Sequence, residues 1–164
     1  MPTVAVGKTA PTFQLTSMDG KPYSLKDALE RGPVLAAFFK VSCPTCQYTF
    51  PFLERLYQEF RASGAQVWGI SQDTGRDSQR FAKTYGVTFP ILIDEEPYET
   101  SQEYGLTYVP TLFLIAPDGQ VEISGDGFSK ADLEGIQRAL AKQFSVTPPP
   151  LFLPNEKIPE YKPS

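Results

Sequence analysis

The chain has 164 residues, with 15 Lys and Arg against 19 Asp and Glu, and a net charge of −4. This length suits one domain with a substantial hydrophobic core, and the charge balance argues against nucleic acid or an anionic membrane surface as a partner. Histidine is absent, which excludes mechanisms that need an imidazole base or a histidine-ligated metal.

The N-terminus, MPTVAVGKTAPTFQL, lacks the apolar stretch of a secretory signal. No apolar run in the chain approaches the roughly 20 residues of a membrane span. We therefore expect a cytoplasmic location and no membrane partner.

The first half of the chain predicts a β-hairpin, a short helix, a buried strand and a long helix. FQLTSMDGKPYSL turns at its Asp-Gly pair, and LKDALERG reads as a helix closed by Gly32. PVLAAFFK is a continuous apolar run, typical of a strand buried on both faces. Apolar residues then recur at helical spacing over residues 44 to about 63, where Pro51 should kink the helix.

The second half alternates strands with helices and ends in a hairpin and a final helix. AQVWGIS and FPILID predict buried strands, and RDSQRFAKTYG and YETSQEYG predict helices. YVPTLFLIAPDGQVEISGDG predicts a hairpin, after which Ser129 and Asp132 mark a helix ending near Phe144. The sequence therefore predicts an α/β fold with a central mixed sheet and helices on both faces.

A proline-rich tail, residues 145–164, follows a domain of residues 1–144. SVTPPPLFLPNEKIPEYKPS contains six prolines in 20 residues, which disfavours a regular helix. We expect the apolar PLFLP stretch to dock on the domain. A role as a proline-rich ligand for a partner protein is the alternative.

The two cysteines of the chain, Cys43 and Cys46, lie three residues apart, between the buried strand and the long helix. A helix N-terminus favours a thiolate, so we expect a lowered pKa for Cys43. Pro44 suits the first helical position. Cys46 lies one turn later on the same face and is expected to be the more buried sulfur. Two ordinary core cysteines, or a metal site short of ligands, are the other interpretations.

Residues 5–144 resemble the thioredoxin superfamily, and more narrowly the AhpC/TSA (alkyl hydroperoxide reductase / thiol-specific antioxidant) group and its TlpA-type relatives. The resemblance rests on APTFQLTSMDGKPYSLKD, VWGISQDTGRDSQRFAKTYGVTFPILID and YGLTYVPTLFLIAPDGQV. It implies a thioredoxin-like three-layer sandwich with an added N-terminal β-hairpin. It also implies a cis peptide bond between Val109 and Pro110, beside Cys43, where backbone pairs with a bound substrate.

The residues around the cysteines mix the marks of two branches of this superfamily. Cys43, Pro44 and Thr45 are similar to the Cys-Pro-Thr of peroxiredoxins, but the threonine that those enzymes carry three residues earlier is Lys40 here. Thioredoxins carry a buried aspartate where this chain has Ala37. Lys40 is interpreted either as a charge that lowers the pKa of Cys43 or as a strand-end lysine that reaches solvent.

The resemblance implies a thiol–disulfide oxidoreductase in which Cys43 forms a mixed disulfide that Cys46 resolves. Its substrates would be protein disulfides, and a thioredoxin reductase-type enzyme or another thiol would reduce it. The alternative is a peroxiredoxin-type thiol peroxidase that reduces hydroperoxides through a sulfenic acid on Cys43, and one protein could do both. A third hypothesis is a non-catalytic redox sensor or binding module that uses the proline-rich tail. No cofactor and no metal are expected.

The surroundings of the motif carry three further expectations. The expected substrate contacts are Pro44, Thr45, Val109 and Thr111. Either water or a carboxylate from elsewhere in the fold, with Asp73 and Asp94 as candidates, would deprotonate Cys46. An apolar surface beside the motif would be supplied by Phe39, Tyr48, Tyr108 and Phe128.

Overall fold

The computed structural model describes residues 2–164. Its helices and strands follow the hydrophobic pattern of the sequence closely. The strands are β1 (Gln14–Ser17), β2 (Pro22–Ser24), β3 (Val34–Phe39), β4 (Gln66–Ser71), β5 (Ile91–Ile93), β6 (Thr111–Ile115), β7 (Val121–Asp126), β8 (Phe128–Ser129) and β9 (Tyr161–Lys162). The α-helices are α1 (Leu25–Leu29), α2 (Pro44–Phe60), α3 (Gly75–Tyr85), α4 (Glu99–Glu103) and α5 (Lys130–Gln143).

Seven strands form one mixed sheet in the order β2-β1-β5-β4-β3-β6-β7. The three central strands β3, β4 and β5 are parallel, while β6 and β7 run antiparallel beside β3. The N-terminal hairpin β1–β2 joins the sheet by antiparallel pairing with β5. The predicted mixed sheet with an added N-terminal hairpin is therefore confirmed.

Strand β3 is buried on both faces, as its continuous apolar run predicts. Its alternate side chains enter two separate clusters. Leu35, Ala37 and Phe39 pack with residues of α2, α3 and α5 on one face. The other three side chains of β3 pack on the opposite face with residues of α1 and with Tyr104 at the end of α4. The sheet is thus the middle of three layers.

Strand β4 shows how closely α2 lies against the sheet. A Cβ atom at Gly69 would lie 3.1 Å from the Phe39 ring and 3.2 Å from the Phe50 ring. The neighbouring residue, Trp68, points to the opposite face, where its ring contacts Phe13 and Tyr23. The missing side chain at position 69 lets the helix that carries the cysteines pack directly on the strand.

The end of α1 differs from the prediction, because Gly32 does not close the helix. The helix ends at Leu29, and Glu30 is its C-cap. Gly32 is required for another reason: a Cβ there would lie 2.8 Å from the carbonyl oxygen of Gly64. Gly64 itself has φ +101° and ends the 3₁₀ turn that follows α2.

The proline-rich tail returns to the domain and packs along α2. Leu151 is buried, and the Phe152 ring lies 5.1 Å from the Phe52 ring between centroids. The guanidinium of Arg55 donates to both carboxylate oxygens of Glu156, at 2.8 and 2.7 Å. Docking of PLFLP is therefore observed. The pairing of β9 with β8, further along the tail, was not predicted.

Within residues 2–164, no helix is both long enough and apolar enough to cross a membrane.

Candidate active site

Cys43 is the N-cap of α2, immediately after the loop that follows β3. Its sulfur accepts the backbone N–H of Cys46 at 3.1 Å, and Pro44 occupies the first helical turn. The sulfur therefore lies at the N-terminus of α2, against a backbone donor and the positive end of the helix. The side chain of Cys43 is partly exposed, so an incoming disulfide can reach it.

The loop before Cys43 is fixed by side chains from two other elements. The carboxylate of Asp73, just after β4, accepts the backbone N–H of Val41 at 2.8 Å. The side-chain amide of Gln47 donates to the Val41 carbonyl at 2.9 Å. These bonds hold the strand-to-helix turn in one conformation, and the position of the Cys43 sulfur is therefore set before a substrate arrives.

Cys46 is fully buried below Cys43, as its place on the helix predicts. Burial raises the pKa of the Cys46 thiol strongly, and its hydrogen bond with Cys43 raises it further. Cys46 is consequently a protonated thiol at neutral pH, protected from solvent, while Cys43 is accessible. Both cysteines are free, so the structure represents the dithiol state.

The loop before β6 completes the site from the opposite side. The Val109–Pro110 peptide bond is cis, as the resemblance implies. The Cys43 thiol donates to the Val109 carbonyl oxygen at 3.5 Å. The carbonyl of Pro110 accepts the N–H of Gly127 at 2.8 Å, which ties this loop to the turn after β7. Cys43, Cys46, Val109 and Pro110 thus form one site, although their roles in catalysis remain predictions.

The other residues predicted to act at the site have varied surroundings. Thr111 is buried, and its hydroxyl donates to the Tyr108 carbonyl at 2.6 Å, so its side chain supports the turn. Pro44 is exposed, and the Thr45 hydroxyl donates to the Pro163 carbonyl of the tail at 2.6 Å. The Lys40 side chain is exposed at the end of β3, and its action on Cys43 stays a prediction.

The predicted apolar surface is only half correct. Phe39 and Phe128 are completely buried and belong to the core. Tyr48 is partly exposed beside the motif, and Tyr108 is 58 % exposed just before the cis-proline. Phe39 was misplaced because β3 is covered on both faces, and Phe128 because the tail packs against it.

The two candidate carboxylates lie in different places. Asp73 is at the cysteine end of the sheet, but its Oδ2 is engaged by the Val41 amide. Asp94 is buried and accepts hydrogen bonds from the backbone of Thr100 and Ser101 at the start of α4. Asp94 therefore stabilises the start of α4. Within residues 2–164, neither carboxylate forms a hydrogen bond with Cys46.

Over the same range, no group of three or more Cys, Asp or Glu side chains is arranged so that it could hold a metal ion.

The fold and the paired cysteines define a thioredoxin-fold protein with a Cys-x-x-Cys redox site. The sequence model of the AhpC/TSA family matches residues 6–124. The chain belongs to the AhpC/TSA family. This confirms the resemblance on which the predicted fold rested.

Individual relatives agree with this assignment. The thiol-disulfide oxidoreductase ResA of Bacillus thuringiensis subsp. konkukian is 35% identical over 124 residues, covering 74% of this chain and 70% of ResA. A Chlorobium tepidum structure assigned as the thiol:disulfide interchange protein DsbE superimposes with a TM-score of 0.76 at 26% identity, covering 87% of this chain and 99% of that one. Peroxidoxin BcpB of Mycobacterium tuberculosis shares the fold, with a TM-score of 0.71 at 24% identity over 85% of this chain and 97% of its own.

Proposed function

We propose that the protein is a thiol–disulfide oxidoreductase that exchanges its Cys43–Cys46 dithiol with disulfides in other proteins. One observation carries the proposal: the accessible Cys43 sulfur is held by a helix N-terminus beside the Val109 carbonyl, with Cys46 buried one turn away. Exchange needs an accessible nucleophile and a second thiol that cannot react first. The curated relatives matched over about three quarters of the chain are thiol-disulfide oxidoreductases.

The reaction consists of two exchange steps that balance within the dithiol and the substrate disulfide. The Cys43 thiolate attacks one substrate sulfur, the substrate S–S bond breaks, and its other sulfur leaves as a thiolate. Cys46 then loses its proton and attacks the Cys43 sulfur, which releases the second substrate thiol. The substrate gains two electrons and two protons in total, and a Cys43–Cys46 disulfide remains.

The turn before β6 supplies a backbone contact for the substrate chain. In the dithiol state the Val109 carbonyl accepts a hydrogen bond from the Cys43 thiol. Ionisation of Cys43 removes that donor and frees the carbonyl for a substrate N–H. An extended peptide lying along this turn would pair by main-chain hydrogen bonds, which suits substrates of varied sequence.

A thiol peroxidase is the weaker alternative. The Cys-Pro-Thr sequence and the fold are shared with peroxidoxin, but a shared fold does not determine chemistry. Lys40 occupies the position of the peroxiredoxin threonine, and its side chain is exposed. Reduction of hydroperoxides therefore stays a secondary prediction.

The reductant that regenerates the dithiol is inferred to be a thiol donor. A cytoplasmic location remains a prediction, which cell fractionation can check.

Two assays on the same variants test the function. Reduction of insulin with dithiothreitol as electron donor measures disulfide exchange, and peroxide consumption coupled to thioredoxin and its reductase measures peroxidase activity. We expect insulin reduction to exceed peroxide turnover and to disappear in Cys43→Ser. Insulin reduction that persists in Cys43→Ser would refute the assigned nucleophile, and peroxide turnover as the dominant activity would favour the alternative.

A further inference from the structure

The last residues of the tail contact the redox motif directly. The Thr45 hydroxyl, between the two cysteines, donates to the Pro163 carbonyl at 2.6 Å. The ammonium of Lys162 lies 4.9 Å from the centre of the Tyr48 ring, one turn further along α2. Residues 160–163, hereafter the tail end, therefore cover the first turn of the helix that carries both cysteines.

The tail end is also paired with the chain next to the cis-proline turn. Strand β9 forms an antiparallel ladder with β8, in which Phe128 is paired with Lys162 and Ser129 with Tyr161. The N–H of Lys130 donates to the Glu160 carbonyl at 2.9 Å, extending the ladder by one residue. These backbone bonds fix the path of the tail end, so it is held as a strand and does not rest on side-chain contacts alone.

The turn at Gly127 connects the tail end with the cis-proline. Gly127 has φ +71°, and a Cβ atom there would lie 2.5 Å from the Lys162 carbonyl oxygen. The N–H of the same glycine donates to the Pro110 carbonyl at 2.8 Å. One residue thus contacts both the tail end and the turn beside Cys43, and the close approach is open only to glycine.

We propose that the tail end is a wall of the substrate site that restricts the size of the disulfide-bearing molecules that reach Cys43. The wall occupies the Thr45 and β8 side of the motif. The opposite side, at Val109 and the exposed Tyr108, is left open. A protein substrate must then approach from the Tyr108 side, whereas a small disulfide can reach Cys43 with the wall in place.

The inference deepens the proposed function, on which its meaning for substrates rests, but the wall can be tested without turnover. In a Cys46→Ala background Cys43 is the one thiol of the chain. Its alkylation is measured with iodoacetamide and with a maleimide carrying a long polyethylene glycol chain. We compare the background protein, a chain ending at Pro159, and Thr45→Val, which keeps the shape of the side chain but loses the donor.

Loss of one neutral hydrogen bond should raise the population with the tail end released about fivefold. We therefore expect Thr45→Val to raise the rate with the large reagent relative to iodoacetamide by up to about fivefold, and the shortened chain to raise it at least as much. Thr45→Ser, which keeps the donor, and Asn155→Ala, at an exposed position of the tail, should match the background. Circular dichroism checks that each variant is folded.

Insulin and glutathione disulfide then provide the second measurement, with Cys46 restored. The shortened chain should gain activity with insulin and keep its activity with glutathione disulfide. An unchanged ratio of large to small reagent in the folded, shortened chain would overturn the wall. If that ratio changes but no variant reduces any disulfide, the oxidoreductase proposal fails and the wall stands.

Discussion

The sulfur of Cys43 lies 3.5 Å from the carbonyl oxygen of Val109, 66 residues further along the chain. Cys43 lies at the start of α2, after β3, and Val109 lies in the turn before β6. Strands β3 and β6 are neighbours in the sheet. A substrate chain that pairs with that turn, as proposed above, would therefore lie beside the nucleophile. The relative position of these two backbone segments is set by the β3–β6 ladder.

The division of labour between the two cysteines predicts which variant accumulates an intermediate. Cys46→Ala keeps the nucleophile but removes the resolving thiol, so mixed disulfides with substrate should persist. Non-reducing electrophoresis after incubation with an oxidised protein substrate measures them. Cys43→Ala should form none, because Cys46 is buried. Equal adduct formation by both variants would contradict the assigned roles.

The raised pKa of Cys46 predicts that the reduced protein loses stability in alkali. Below about pH 8.5 the thiol is protonated in both the folded and the unfolded chain, and its contribution is constant. Above that pH the unfolded chain releases the proton while the folded chain retains it, because burial raises the folded pKa. The free energy of unfolding should then fall by up to about 1.4 kcal/mol per pH unit. Urea unfolding under reducing conditions measures the free energy of unfolding as a function of pH. The part of its fall that is due to Cys46 should be absent in Cys46→Ala.

The Arg55–Glu156 ion pair predicts acid sensitivity of the docked tail. Hydrogen bonds from Arg55, and then from the Leu153 N–H, lower the pKa of Glu156 to about 2. Its stabilising effect is fully present above the unfolded value of about 4.3 and is lost as the pH falls toward the folded value. Thermal unfolding should therefore separate the parent from Glu156→Gln near neutral pH and bring them together in acid. Glu160→Gln, at an exposed tail position, is the control and should follow the parent throughout.

The close approach of α2 to β4 predicts that Gly69→Ala is destabilising. The added methyl group would lie 3.1 to 3.3 Å from Phe39, Phe50 and Ile91 in a packed core. Overpacking of this kind costs about 1–3 kcal/mol. Denaturant unfolding measures the cost. Gly75→Ala is the matched control, since its nearest neighbours lie 3.9 Å away, at Met18. An unchanged stability of Gly69→Ala would show that the core can expand there.

Local sequence patterns predicted the helices, the large sheet and the cysteine pair, because each depends on periodicity, caps or neighbours a few residues apart. The Asp-Gly turns, the N-cap Ser129 and the buried run of β3 are examples, and all are observed. Placement of Pro110 required the resemblance, since a cis bond has no local signature that distinguishes it from other prolines.

Contacts between distant parts of the chain were not predictable in the same way. The Thr45 hydroxyl and the Pro163 carbonyl are 118 residues apart, and nothing in either segment specifies the other. The apolar PLFLP stretch indicated that the tail docks but not where. The role of Gly32 depends on Gly64, and the burial of Phe128 depends on Phe152, so both became clear only from the packed structure.

The position of Trp68 decides which optical signal can follow the redox state. It is the one tryptophan of the chain, and it lies on the Phe13 and Tyr23 face of the sheet, away from the cluster that contains Cys46. The sheet stands between the indole and the sulfurs, so disulfide formation should leave its emission nearly unchanged. Tryptophan fluorescence of this protein therefore reports unfolding of the face of the sheet that carries Phe13 and Tyr23. Oxidation of the two cysteines must be followed by thiol titration or mass spectrometry.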